Sequence, residues 1–226
     1  MEDLPFRDRV EGGLRLTTHV QPVGGADPPV VLALARGGLP AGRELARALH
    51  AELDVFCVQR VGVPWQPELT MGAVTASAGV FDEEVLATLH LPPERIDFAV
   101  ARERAELRRR EAPYRPAHRE LDIRGRAVLL VDDGAATGSS MVAALRSLRA
   151  RKPRSLRVAL PVASHKALEW IERESDGYDC LATPKPFGSI GNWYLDFRPV
   201  SDLDVLRTLE LVGREHANGK RRKEFR

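Results

Sequence analysis

Short apolar runs alternate along this chain with stretches in which apolar positions recur every three to four residues. That alternation predicts βαβ units around a mainly parallel sheet. The runs 30–35, 55–61, 127–131, 156–161 and 178–182 read as strands, and Ala127 to Val131 is the clearest of them. Uninterrupted apolar strands belong to sheets covered on both faces. Helical patterns fall at 39–51, 141–150 and 165–174, and an N-terminal amphipathic stretch offers Phe6, Val10 and Leu14. The fold class expected is α/β, a mainly parallel central sheet flanked by helices.

One interval breaks the rhythm. About sixty residues separate Val63 from Arg126, where a crossover needs roughly a dozen. Within it, 72–75 and 78–81 alternate like a hairpin, and helices are expected near 83–91 and 93–111. Residues 64–126 therefore read as a flap inserted into a single domain spanning 1–213. The second helix carries Arg102, Glu103, Arg104, Glu106, Arg108, Arg109 and Arg110, a solvated face of mixed sign.

Composition narrows the classes. With 226 residues, 43% hydrophobic and 29% charged, the chain can bury a core, which excludes wholesale disorder. Its net charge of +2 makes nucleic acid an unlikely general partner. The surplus is local: residues 214–226 carry six Lys/Arg against two Glu, so the body before them is slightly acidic. This end is expected to be a basic, disordered tail. Cys57 and Cys180 lie in apolar stretches and read as ordinary buried thiols. No secretory leader or membrane span is visible, and a cytoplasmic protein is expected.

Chemistry concentrates after the strand at 127–131. Asp132 and Asp133 are followed by Gly134, Ala135, Ala136, Thr137, Gly138, Ser139 and Ser140, then by a helix. Small residues let backbone N–H groups approach an anion, and the helix adds the positive end of its dipole. Adjacent carboxylates repel each other unless a ligand supplies hydroxyls or a cation. A ribose diol, with Mg²⁺ near the same oxygens, meets that need. A second turn, Arg36-Gly37-Gly38, follows the first strand and pairs exposed N–H groups with a forked cation suited to a diphosphate.

The segment from Val128 to Ser140 resembles the 5-phosphoribosyl-1-pyrophosphate (PRPP) motif of type I phosphoribosyltransferases. Residues 35–40, Gly62-Val63-Pro64 with 67–69, 72–74, and Asn192-Trp193-Tyr194 with Asp196-Phe197 are similar to a subfamily of predicted bacterial phosphoribosyltransferases with no assigned acceptor. The resemblance implies that fold, with a flap and a C-terminal hood, and transfer of phosphoribose from PRPP to a nitrogenous, nucleobase-like acceptor with release of pyrophosphate. It implies Mg²⁺ as cofactor, with Asp132 and Asp133 near the metal directly or through PRPP. Asp132 and Asp133 would hold the ribose hydroxyls, Ala136 to Ser140 the 5-phosphate, and Arg36-Gly37-Gly38 the pyrophosphate. A homodimer is a candidate assembly.

Some positions stay open. Arg60 is either a further cation on the pyrophosphate or a surface residue ending an edge strand. Phe187, Trp193, Tyr194 and Phe197 either stack a planar acceptor or cover the sheet edge. Glu68 and Glu103 are flap acids, neither singled out as a base. In 6-oxopurine members an Asp precedes the loop Thr; here that position is Ala136, and no acceptor follows from it. Dehydrogenase, P-loop and serine-hydrolase signatures are missing from the sequence. The remaining alternative is a regulator that senses PRPP or a nucleotide on the same fold.

Overall fold

A computed structural model describes residues 4–21, 27–114 and 120–224. Helix α1 (Arg9–Leu16) leads to strand β1 (Val30–Ala35), helix α2 (Leu39–Ala48) and β2 (Glu52–Cys57). The insertion follows, with β3 (Gln59–Val63), β4 (Gln66–Val74), β5 (Gly79–Phe81), α3 (Glu83–Leu89) and α4 (Pro93–Glu111). The chain then alternates through β6 (Ala127–Val131), α5 (Ser139–Arg149), β7 (Ser155–Val162), α6 (His165–Glu174) and β8 (Tyr178–Ala182), and ends in α7 (Asp202–Glu224).

Five strands form one parallel sheet in the order β2-β1-β6-β7-β8. Successive side chains leave opposite faces of a strand, and here both faces are buried. Val31, Ala33, Leu129 and Val131 face Leu16, Leu45 and Val205 on one side, while Val30, Leu32, Val128 and Leu130 face Met141, Leu145 and Ile171 on the other. This two-sided burial is why the strands read as continuous apolar runs. The Cys180 thiol is pushed up to about 11 by burial, in keeping with an unreactive role.

Four expectations change. The apolar run at 55–61 is two strands: β2 ends at Cys57 in the parallel sheet, and β3 starts at Gln59 in an antiparallel sheet ordered β3-β4-β5. Val61 and Val63 bury in a separate cluster with Met71 and Leu91, so the apolar pattern continues across a change of partner. The insertion thus begins at β3, ahead of residue 64. Helix α1 buries Arg9, Gly12, Gly13 and Leu16 instead of a Val10/Leu14 face, and those two residues are exposed. Glycine permits this approach, because a Cβ on Gly13 would stand 2.5 Å from Ala41 Cα of α2. Finally, the backbone of α7 continues to Glu224, so residues 214–224 are helical where a disordered tail was expected. Among the described residues no helix is long and apolar enough to cross a membrane.

Candidate active site

From β1 the chain winds outward to β2, then returns to lay β6 along the other flank of β1. In open parallel sheets the crevice beyond the carboxyl ends of two such strands receives ligands. Both glycine-rich turns leave the sheet there, one after β1 and one after β6.

β1 ends in a cis peptide bond between Ala35 and Arg36. The Gly38 N–H donates to Leu34 O at 3.0 Å, closing the turn before α2. A Cβ on Gly38 would lie 2.5 Å from Val131 O and 2.8 Å from Asp132 Cα, and one on Gly37 would lie 2.4 Å from Asp133 Oδ2. Only glycine lets the two turns touch.

The second turn is propped from below. Ala135 N–H donates to Val162 O at 3.0 Å, and Ser164 N–H donates to Ala135 O at 2.9 Å. Ser164 caps α6 and also donates its hydroxyl to Ala136 O at 2.6 Å. Gly138 caps α5 at φ 84°, in the left-handed region that favours glycine. Helix α5 begins at Ser139, two residues earlier than its periodicity suggested, so Ser139 and Ser140 form its first turn. The N–H groups of Ala136, Thr137 and Gly138 have no acceptor among the described residues. Thr137 is exposed, with its hydroxyl 3.1 Å from that of Ser139. Amides without an acceptor, two hydroxyls and the start of α5 thus lie within one short stretch, the arrangement by which helix N-termini hold anions.

The acid pair is not symmetric. Asp133 is buried at 6% exposure, and its Oδ2 accepts from Arg9 Nε at 2.6 Å. Arg9 is equally enclosed: it donates to Arg198 O at 2.9 Å, and its guanidinium lies 3.7 Å from the centre of the Phe197 ring. Burial pushes Asp133 up from its ordinary range while Arg9 draws it back. Asp132 is half-buried and accepts from the Asp133 N–H at 2.9 Å. Its carboxyl is raised well above the ordinary value by desolvation and then by the Asp133 charge. The two acids therefore differ in setting: Asp133 is bonded to Arg9 and buried, and Asp132 is the less enclosed of the pair. Arg9 and Ser164 were missed in the sequence because a lone Arg in a helix and a Ser before another carry no motif.

Arg36 is half-exposed, its NH1 3.6 Å from Asp202 Oδ1 at the start of α7. Arg60 stands exposed on β3, just beyond the carboxyl end of β2. Glu103 is pinned by Gln59 Nε2 at 3.0 Å and by Arg102, which leaves it poorly placed as a base. The side chain of Glu68 lies outside the described residues. Among the aromatics, Phe187 and Trp193 are half-buried and linked by Trp193 Nε1 donating to Phe187 O at 2.9 Å. Tyr194 is corrected: its ring is enclosed by Phe6 and Phe197, and its hydroxyl donates to Asp133 O at 2.6 Å. It is a strut under the acid pair and not an acceptor platform. Tyr194→Phe leaves that buried carbonyl unpaired, and a loss of ~1–3 kcal/mol is expected in thermal or denaturant unfolding.

Among the described residues no group of three or more His, Cys, Asp or Glu side chains could cage a metal ion. A donor set this sparse would suit Mg²⁺ carried chiefly by sugar and diphosphate oxygens, the way this ion is usually held beside phosphates.

The comparisons with known proteins agree with this geometry. The family model described as "Phosphoribosyl transferase domain" matches residues 18–185. The crystal structure of TT1426 from Thermus thermophilus is 40% identical, covers 91% of this chain and 98% of that one, and superposes with a TM-score of 0.75. "Putative phosphoribosyl transferase Rv0571c" of Mycobacterium tuberculosis is 34% identical over 213 residues, 94% of this chain but 48% of that protein. The chain thus spans about half the length of the curated relatives it matches. A parallel sheet of five strands, two glycine-rich turns meeting at its switch point and a family match over most of the chain lead to one conclusion: this protein belongs to the phosphoribosyl transferase domain family.

Proposed function

We propose that this chain is a Mg²⁺-dependent phosphoribosyltransferase, transferring the phosphoribosyl group of PRPP to a nitrogenous, nucleobase-like acceptor and releasing pyrophosphate. The observation that carries the reading is the contact of the two turns. Gly37 and Gly38 rest against Asp133 and Asp132, so a phosphate held by Ala136–Ser140 and a diphosphate held by Arg36–Gly38 would flank one ribose.

In this reading the amides of Ala136, Thr137 and Gly138, with the Thr137, Ser139 and Ser140 hydroxyls, grip the 5-phosphate. Asp132 accepts from the ribose hydroxyls. Asp133, fixed by Arg9 and Tyr194, sets the position of its neighbour. Arg36, with Arg60 as a second cation, offsets charge building on the departing diphosphate in a transition state of oxocarbenium character. Bound Mg²⁺ would neutralise that leaving group. Phe187 and Trp193 supply the planar surface for the acceptor. With Ala136 where 6-oxopurine members carry an Asp, the reading assigns activation of the acceptor chiefly to positioning.

The test is incubation with PRPP, Mg²⁺ and a panel of purines, pyrimidines and small amines, with pyrophosphate release as the readout. Acceptor-dependent release is expected. Tight PRPP binding with no release for any acceptor would sink catalysis in favour of a ligand sensor.

A further inference from the structure

We propose that Asp202 is a positioning residue that competes with the diphosphate for Arg36, holding the guanidinium between turnovers and yielding it when diphosphate arrives. This makes the first turn of α7 responsive to the diphosphate loop. The inference rests on the assignment of Arg36 to the diphosphate made above.

Three segments remote in sequence meet here. Asp202 Oδ1 lies 3.6 Å from Arg36 NH1, and the same oxygen accepts a short hydrogen bond from the Tyr114 hydroxyl. Tyr114 is buried at 1% exposure, so it fixes the carboxylate in place. Burial, followed by the bond to Asp202, pushes the tyrosine hydroxyl far above its ordinary range and keeps it a neutral donor. Helix capping does not explain Asp202. The reciprocal cap of α7 is made by Ser201 and Asp204: Ser201 Oγ donates to Asp204 Oδ2 at 2.6 Å, Ser201 N–H donates to the same oxygen at 3.0 Å, and Asp204 N–H donates to Ser201 Oγ at 3.2 Å. Asp202 is left to face the turn after β1.

The ion pair is built to be exchanged. At 3.6 Å it is longer than a hydrogen bond, and its side chains are 35% and 55% exposed, so solvent screens it. A diphosphate carries more charge and matches the planar guanidinium with two parallel bonds. It should win the competition, with Asp202 reducing its net affinity.

The experiment is calorimetric titration of the whole chain with inorganic pyrophosphate and Mg²⁺. Asp202→Asn keeps an acceptor for Tyr114 but removes the charge, and binding about two- to fivefold tighter is expected. In turnover, product inhibition by pyrophosphate should strengthen by the same factor while the KM for the acceptor stays put. Tyr114→Phe releases the carboxylate from its bond but keeps its charge beside Arg36, and should not tighten binding. In an Arg36→Met background the effect of Asp202→Asn should largely vanish. Unchanged or weaker pyrophosphate binding in Asp202→Asn overturns the proposal. So does equal tightening in the Arg36→Met background, which would reduce Asp202 to general repulsion. Asp202→Ser serves as a second variant if the Asn form does not fold. Failure of the wild type to bind pyrophosphate or PRPP at all would instead bring down the functional reading beneath the proposal.

Discussion

Asp133→Asn is expected to cost about 3 kcal/mol of stability, a fall of roughly 6–12 °C in melting temperature for a chain of this size. The side chains of Arg9 and Asp133 are 10% and 9% exposed, and their 2.6 Å contact leaves the guanidinium no other carboxylate within bonding distance among the described residues. Removing one partner strands a buried positive charge, which costs more than the pair itself contributes. Arg9 also bonds Arg198 O and lies over Phe197, so the damage should spread into the hood at 194–198. Combining Arg9→Met with Asp133→Asn should recover part of the loss, because neither charge is then left alone. A melting temperature within about 2 °C of wild type for Asp133→Asn would show that Asp133 is not the anchor described.

Asp132→Asn should behave in the opposite way: PRPP binding weakened at least tenfold, with no loss of thermal stability. One charge-assisted hydrogen bond is worth ~1.5–3 kcal/mol, and Asp132 is the less enclosed carboxylate, the one proposed to meet the ribose. Folding raises its proton affinity, so its contribution to stability is present at low pH. That contribution is lost as pH climbs from the unfolded value, about 3.9, through the raised folded one. Asp132→Asn removes the like charge beside Asp133 and should flatten this part of the pH–stability curve. Calorimetry with PRPP and melting scans across pH measure both effects. Unchanged PRPP affinity would refute the ribose-site assignment.

Much of the architecture was legible because burial on two faces writes itself into sequence as unbroken apolar runs. β1 and β6 agree with their expected spans residue for residue, and so do α6, β8 and α4. The turn after β6 was legible for a related reason: close backbone approach demands small residues, and Gly134 to Ser140 supply them in one stretch. The apolar run over β2 and β3 misled because both halves are buried, though in different sheets. Helix α1 misled because its packed face is made of two glycines and an arginine, which no hydrophobic period detects.

By itself, then, the sequence determined most strands of the parallel sheet and the places of the two glycine-rich turns, since these depend on local periodicity and on side-chain size. Only the tertiary structure decided how the equivalent-looking acids differ. Asp133 was claimed by Arg9 from 124 positions away and by Tyr194 from 61 away, while Asp132 stayed the less enclosed of the two. It likewise set Arg36 beside Asp202, and turned one aromatic of four into a strut. Those contacts join segments distant along the chain, and the charge state and exposure of a side chain depend on which neighbours the fold brings to it.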